Sequence, residues 1–352
     1  MNSSRRVTVI PLVGPFHTRF PLYNVVHVRE LLRAAAPTAV ALAALPPAAL
    51  SHPGWRATPE IALPHTVVPW AQRRGLKLVE VGSQAGLPGE PGEAGDEEAF
   101  MRYLDEFAAG KAHLREVQAA LRPAEELLGR ALDMGRILGE LVPALDDYHE
   151  LRSSKFGEGP GTGWRAARAE RMAQRVGQIE DPHTAVLVGV DDYGAMVRAL
   201  TEALDGQATV EEPPRQLQLS EEASREARQR SLLDVAMRGE VEDPSGLLGQ
   251  LRSMATPEAS YHEANILLAH GHAAEALEKL KQITSGDFHE PYYLPGFVLA
   301  RLGELQDMAG DRQAALRAYR GVLALSYAPP EAVEAAEAGL ERPFQPQPEE
   351  RE

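Results

Sequence analysis

In its first quarter the chain alternates short apolar runs with stretches of helical period, an order that few architectures accept. Val7-Thr-Val-Ile-Pro-Leu-Val13 is a nearly continuous apolar run ended by Gly14, the pattern of a strand covered on both faces. Asn24 to Ala35 follows with Val25, Val28, Leu31 and Leu32 at helical spacing. Thr38 to Leu45 is a second apolar run, stopped by Pro46-Pro47. An amphipathic stretch around Ile61 to Arg74 ends at Gly75, and Leu76 to Val81 reads as a third strand. Strand, helix, strand, helix, strand is the order of a parallel α/β layer.

Beyond it, residues 82–97 are rich in glycine and acidic groups and read as a loop. From Glu98 to Glu150 apolar positions recur at three and four, with breaks expected at Gly110, Pro123 and Pro143, so a helical insertion is expected there. After a glycine-rich loop, Gly157 to Gly163, come a helix from Trp164 to Ile179, a strand from His183 to Gly189, a helix from Tyr193 to Leu204 and a weak strand near Ala208 to Glu211. Pro213-Pro214 marks a boundary. The expected organisation is therefore an α/β domain over 1–212 with the insertion at about 98–150, a helical domain over 213–340, and a disordered acidic tail over 341–352.

The helical domain repeats itself. Gly310-Asp-Arg-Gln-Ala-Ala315-Leu-Arg-Ala-Tyr319 lies over Gly271-His-Ala-Ala-Glu-Ala276-Leu-Glu-Lys-Leu280, with Ser285 to Pro295 added between the units. Small residues at Gly303 and Ala315 suit a close contact of paired helices, and the helix around Glu221 to Met237 offers the neighbour that two repeats lack.

Composition removes several function classes. The chain has no cysteine, so disulfides, thiolate metal sites and a cysteine nucleophile are absent; this fits a reducing, cytoplasmic setting. The net charge of −15, without a concentrated basic face, argues against nucleic acid as a partner. The longest uncharged stretch, Ala34 to Arg56, is interrupted by four prolines, so no membrane insertion is expected. Arg5-Arg6 before Val7 has a signal peptide's charge order, but the apolar run is too short for one. Gly157 to Gly163 lacks the Gly-Lys-Ser/Thr that a phosphate loop needs, and no Gly-x-Ser-x-Gly or His-Glu-x-x-His occurs. Asp146-Asp147-Tyr-His149-Glu150 reads as a solvated cap or salt-bridge patch.

The chemistry-bearing candidates sit at strand ends. In Gly14-Pro15-Phe16-His17 a histidine follows the first strand, where open α/β sheets bind ligands; a loop hydrogen bond is its plainer role. Later come Trp164-Arg-Ala-Ala-Arg168-Ala-Glu170-Arg171 and, across one turn, Val186-Leu-Val-Gly189-Val-Asp-Asp192-Tyr-Gly194. Together these motifs resemble the superfamily that contains erythromycin esterase, the ChaN haem-binding lipoproteins and the TraB/Tiki proteins. The resemblance covers about residues 6 to 205. It implies an opening Gly-x-x-His, an arginine-rich helix and a second Gly-x-x-His at a late strand's end.

For TraB/Tiki-type members the resemblance further implies a metal-dependent hydrolase, often a peptidase, using Mn, Zn or Mg. Carried over, His17 and Asp192 are the metal ligands, with Asp192 standing where a second histidine is expected. Arg168 or Arg171 is the helix arginine, and Gly14 and Gly189 are the strand-end glycines of a cofactor site. The second strand lacks the expected glutamate, and Glu60 and Glu80 are the nearest acids for a base. Three functions follow as expectations. One is a partner-binding protein whose α/β domain is a degenerate scaffold and whose tetratricopeptide-like residues 215–340 hold a protein or peptide. The others are a metal-dependent hydrolase and a haem or small-molecule binder.

Overall fold

The structure is a computed structural model that describes residues 5–83, 94–157, 163–239 and 244–345, with the backbone alone for 94–97. It divides into two compact units, Met1–Ala227 and Arg228–Glu352.

The first unit is built on five parallel strands, β1 Arg5–Leu12, β2 Ala39–Leu42, β3 Lys77–Glu80, β4 His183–Gly189 and β5 Ala208–Glu211, in the order β3-β2-β4-β1-β5. The first and last long apolar runs are thus neighbours, paired from Arg6 with His183 to Leu12 with Gly189. Both are buried along almost their whole length, as expected of central strands in a layer covered on two faces. The second run yields a strand only over Ala39–Leu42 before the chain turns.

Helix α1, Val25–Ala35, begins where the Asn24 side chain accepts from the Val26 N–H at 3.1 Å and ends where Ala36 turns left-handed. Its Val28, Leu31 and Leu32 enter the core. Helix α2, Val68–Arg73, is preceded by a π turn over Leu63–Val67. A second π turn, Ile137–Leu141, follows α3 Ala94–Leu104, α4 Ala108–Leu128 and α5 Met134–Arg136, and leads into α6 Val142–Phe156. Each π turn stands just before a proline, Pro69 or Pro143. Widening the turn there relieves the clash of a proline ring with the carbonyl one turn back. Neither Gly110 nor Pro123 breaks α4, contrary to expectation. Packing against α6 carries α4 through the missing hydrogen bond. Helices α7 Trp164–Gly177 and α8 Tyr193–Ala203 pack on each other, as α1 does on the first π turn. The Arg5 guanidinium donates to Gly177 O at 3.1 Å at the carboxyl end of α7, where a cation meets free carbonyls.

The second unit is helical. Helix α9, Glu221–Arg238, enters it, followed by α10 Pro244–Met254, α11 Pro257–Ala269, α12 Ala273–Thr284, α13 Leu294–Met308, α14 Arg312–Ala324 and α15 Pro330–Glu341. The short connections of α11 to α12 and of α13 to α14 enforce antiparallel pairs. Gly271 and Gly310 occupy the same place in the two turns with the same positive φ of 82°. The internal similarity read from the sequence is therefore a repeat of backbone shape. Gly303 on α13 faces the ring of Tyr319 on α14, where an added Cβ would lie 2.7 Å from Cδ1, and Gly339 of α15 meets the same ring. Tyr319 and Ala315 are completely buried. The tail expected from 341 is held at its start: the Phe344 N–H donates to Asp307 Oδ2 at 2.9 Å. Residues 346–352 lie outside the described ones, as do 84–93 and 158–162 of the two expected loops.

Candidate functional site at the carboxyl edge of the sheet

Strands β1 and β4 are adjacent, yet their outgoing connections run to opposite sides, β1 through α1 to β2 and β4 through α8 to β5. Right-handed crossovers then place these connections on opposite faces, so the carboxyl ends of β1 and β4 form a topological switch point, the usual ligand crevice of an open α/β sheet.

Five of the eight sequence candidates meet here. Gly14, at a φ of +55° that favours glycine, donates its N–H to Glu60 Oε2 at 3.0 Å. On the neighbouring strand a Cβ at Gly189 would lie 2.8 Å from Glu60 Oε1. The two glycines therefore form a bed for one carboxyl group. Burial pushes that carboxyl up to about 7, the Gly14 N–H opposes the rise, and the negative charge of Asp192 adds to it. Asp192 in turn is held by the α7 arginines: Oδ2 pairs with Arg168 and Oδ1 with Arg165 Nη2 at 3.0 Å. Its side chain does not cap α8. The Arg168 guanidinium also lies over the Trp164 ring, 4.7 Å from its centroid.

The other candidates are elsewhere or otherwise engaged. Glu80 ends β3, two strands from β4, and its Oε1 accepts from Leu50 N at 2.7 Å, tying down a turn. Arg171 is exposed. His17 is 1% exposed and uses both ring nitrogens on backbone: Nδ1–H donates to Tyr23 O at 2.9 Å and Nε2 accepts from Val13 N at 3.2 Å. Burial lowers its pKa to about 4, so the ring is a neutral, fixed tautomer. A metal ion at the position implied by the resemblance would have to displace these engagements of His17. The Nε2 lone pair of His17 is taken by the Val13 N–H, and each Asp192 carboxylate oxygen pairs with a guanidinium. Among the described residues no group of three or more histidines and carboxylates is arranged to hold a metal ion.

A second polar cluster, read in the sequence as a solvated cap or salt-bridge patch, adjoins Asp192 and forms ion pairs. His149 of α6 donates Nε2–H to Asp191 Oδ1 at 2.9 Å, while its Nδ1 accepts from Arg165 at 3.2 Å. Arg165 also pairs with Asp191 Oδ2 at 2.6 Å. Burial alone would raise the Asp191 carboxyl, but His149 and Arg165 together hold it well below the usual carboxylate range. Beside the cluster opens a cleft of about 630 Å³ between α6, α7 and α8, lined by charges of both signs, including Asp146, Glu170 and Arg198. His149 and Arg165 were missed because the sequence gives only a histidine among acids and an arginine among arginines.

No protein-family model, curated protein or solved structure matches the chain.

Proposed function

We propose that this is a partner-binding protein, whose helical unit holds a protein or peptide and whose α/β unit, a divergent relative of the TraB/ChaN kind, serves as its scaffold. The observation that carries this reading is His17: a residue at the expected ligand position spends both nitrogens on the backbone of its own loop. The paired helices and the buried Gly303–Tyr319 contact support a tetratricopeptide-like role for the second unit. The large mixed-charge cleft beside Asp191 favours, as a second reading, a small polar ligand on the first unit. Among the described residues no helix is long and apolar enough to cross a membrane.

The test uses the full chain, purified without chelators, in metal analysis, ester and peptide hydrolysis assays, and binding to an array of extended peptides. Expected are substoichiometric metal, no hydrolysis and saturable peptide binding that is lost in Gly303→Val. A stoichiometric metal ion whose removal abolishes hydrolysis would overturn the reading in favour of the metal-dependent hydrolase. Peptide binding that survives Gly303→Val, in a variant shown to have lost its helical packing, would remove the helical unit from it.

A further inference from the structure

Away from the cleft beside Asp191, the α/β unit carries a second opening. It is a groove of about 370 Å³ between α1, the turn before it, the start of α5 and the segment that joins β5 to α9. Leu22, Leu31, Met134, Leu217 and Leu219 make its walls largely apolar, and Leu22 is 57% exposed. Tyr23 adds a ring but no free polar atom, since its hydroxyl donates to Pro11 O at 2.6 Å. A concave apolar surface with few polar groups is the usual form of a small-molecule pocket, and this one lies at the small end of the range of about 300–1,000 Å³.

One polar atom of the groove is set by a chain of hydrogen bonds. The Asn24 amide is oriented by two backbone groups: Nδ2 donates to Ala227 O at 2.9 Å, and Oδ1 accepts from Val26 N at 3.1 Å. The same Oδ1 lies 3.0 Å from Nδ1 of His27, which lines the groove. An amide oxygen can only accept, so Nδ1 carries the hydrogen of the ring and Nε2 is left with a bare lone pair. Burial keeps the ring neutral, lowering its pKa to about 4 against the opposing charge of Glu30. Among the described residues no hydrogen bond reaches Nε2. We propose that the groove binds a small phenol, its ring among the leucines and Met134 and its hydroxyl donating to His27 Nε2.

The lone pair requires a donor and the walls require an apolar body. A carboxylate ligand brings no donor and meets the Asp133 carboxylate, which also lines the groove, while the nearby cation Arg215 is paired with Glu212 at 3.3 Å. An ammonium carries a full charge onto apolar walls. A phenolic O–H is a stronger donor than an alkyl O–H, and a flat ring suits the neighbouring Tyr23 and Met134.

NMR of the full chain, with isotope-labelled histidine nitrogens, tests this with para-propylphenol and with para-propylanisole, the same molecule with its hydroxyl methylated. The phenol should bind saturably at one site and shift the Nε2 resonance of His27 away from that of a bare nitrogen. The anisole should bind about tenfold more weakly and leave that resonance in place. His27→Phe, which keeps a ring and loses the acceptor, should bring the phenol down to the level of the anisole. The wild-type resonance decides the point without any variant should this one fail to fold. Leu219→Trp fills the groove and should abolish binding of both probes. Equal affinity for the two probes, an Nε2 resonance unmoved at saturation, or phenol binding that survives Leu219→Trp would overturn the proposal. So would a dimer of the full chain that Leu219→Trp splits, since it assigns the groove to a second copy.

Discussion

The two units handle buried polarity in opposite ways. In the α/β unit charge collects at one rim, where Glu60, Asp191, Asp192, Arg165 and Arg168 gather at strand ends, while the strands below are mostly apolar and the buried His17 is neutral. In the helical unit charge lies within the packed interior, at Arg230, Asp234 and Glu258. A parallel sheet ends in backbone groups and loops on a single edge, so polar side chains are drawn there and stay in reach of solvent. A stack of helix pairs has no such edge. A polar residue on an inward face must find its partner inside, and the partner becomes structural.

Removing one ion-paired arginine from each unit is the strongest way to break this comparison. Arg230→Met should cost about 3–5 kcal/mol in denaturant unfolding, because it strands two carboxylates in the core. Arg198→Ala removes a solvent-exposed partner of Asp146, 3.2 Å away, and should stay below about 1 kcal/mol. Similar losses for both would erase the distinction.

The pH response of the rim sharpens it next. Folding keeps His17 neutral with a pKa of about 4, whereas the unfolded chain protonates it below about 6.5. This contribution is present above pH 6.5 and is lost as pH falls toward 4, by up to about 3 kcal/mol. Glu60 runs the other way: its raised value of about 7 makes folding weaker as pH rises from the ordinary 4.5 through 7. Glu60→Gln should therefore leave the acid side steeper than in the wild-type protein. An unchanged pH profile of unfolding in that variant would show that Glu60 is solvated like an ordinary surface acid.

A smaller effect is expected from the Tyr319 contact in the helical core. Gly303→Val drives a branched side chain into the Tyr319 ring and should cost about 1–3 kcal/mol by thermal or denaturant unfolding. Ala315→Leu, at a fully buried position nearby, should cost at least about 1 kcal/mol. Melting temperatures unchanged in both variants would mean that the paired helices do not depend on small residues there.

The order of elements was legible from the residues alone, because strand and helix periods are local properties. The Val7 to Val13 run, the His183 to Gly189 run, the helical stretch from Asn24 to Ala35 and the weak strand at Ala208–Glu211 all became elements close to where they were read. The Gly271 and Gly310 turns were legible for the same reason. Local pattern misjudged α4, where packing against α6 overrode a glycine and a proline, and the start of the tail, where a single hydrogen bond to Asp307 holds the backbone. The roles of the candidate residues belonged to tertiary structure. Whether His17 met a ligand or its own loop turned on two backbone groups nearby, and Glu60 rather than Glu80 reached the switch point because the loop after β2 returns across Gly14 and Gly189. The Arg165–His149–Asp191 cluster and the Arg230–Asp234–Glu258 core likewise join side chains from different helices. Sequence fixes which groups carry charge and how often they recur. Burial and distance decide whether that charge is ionised, paired or free to act, and both depend on contacts between residues far apart in the chain.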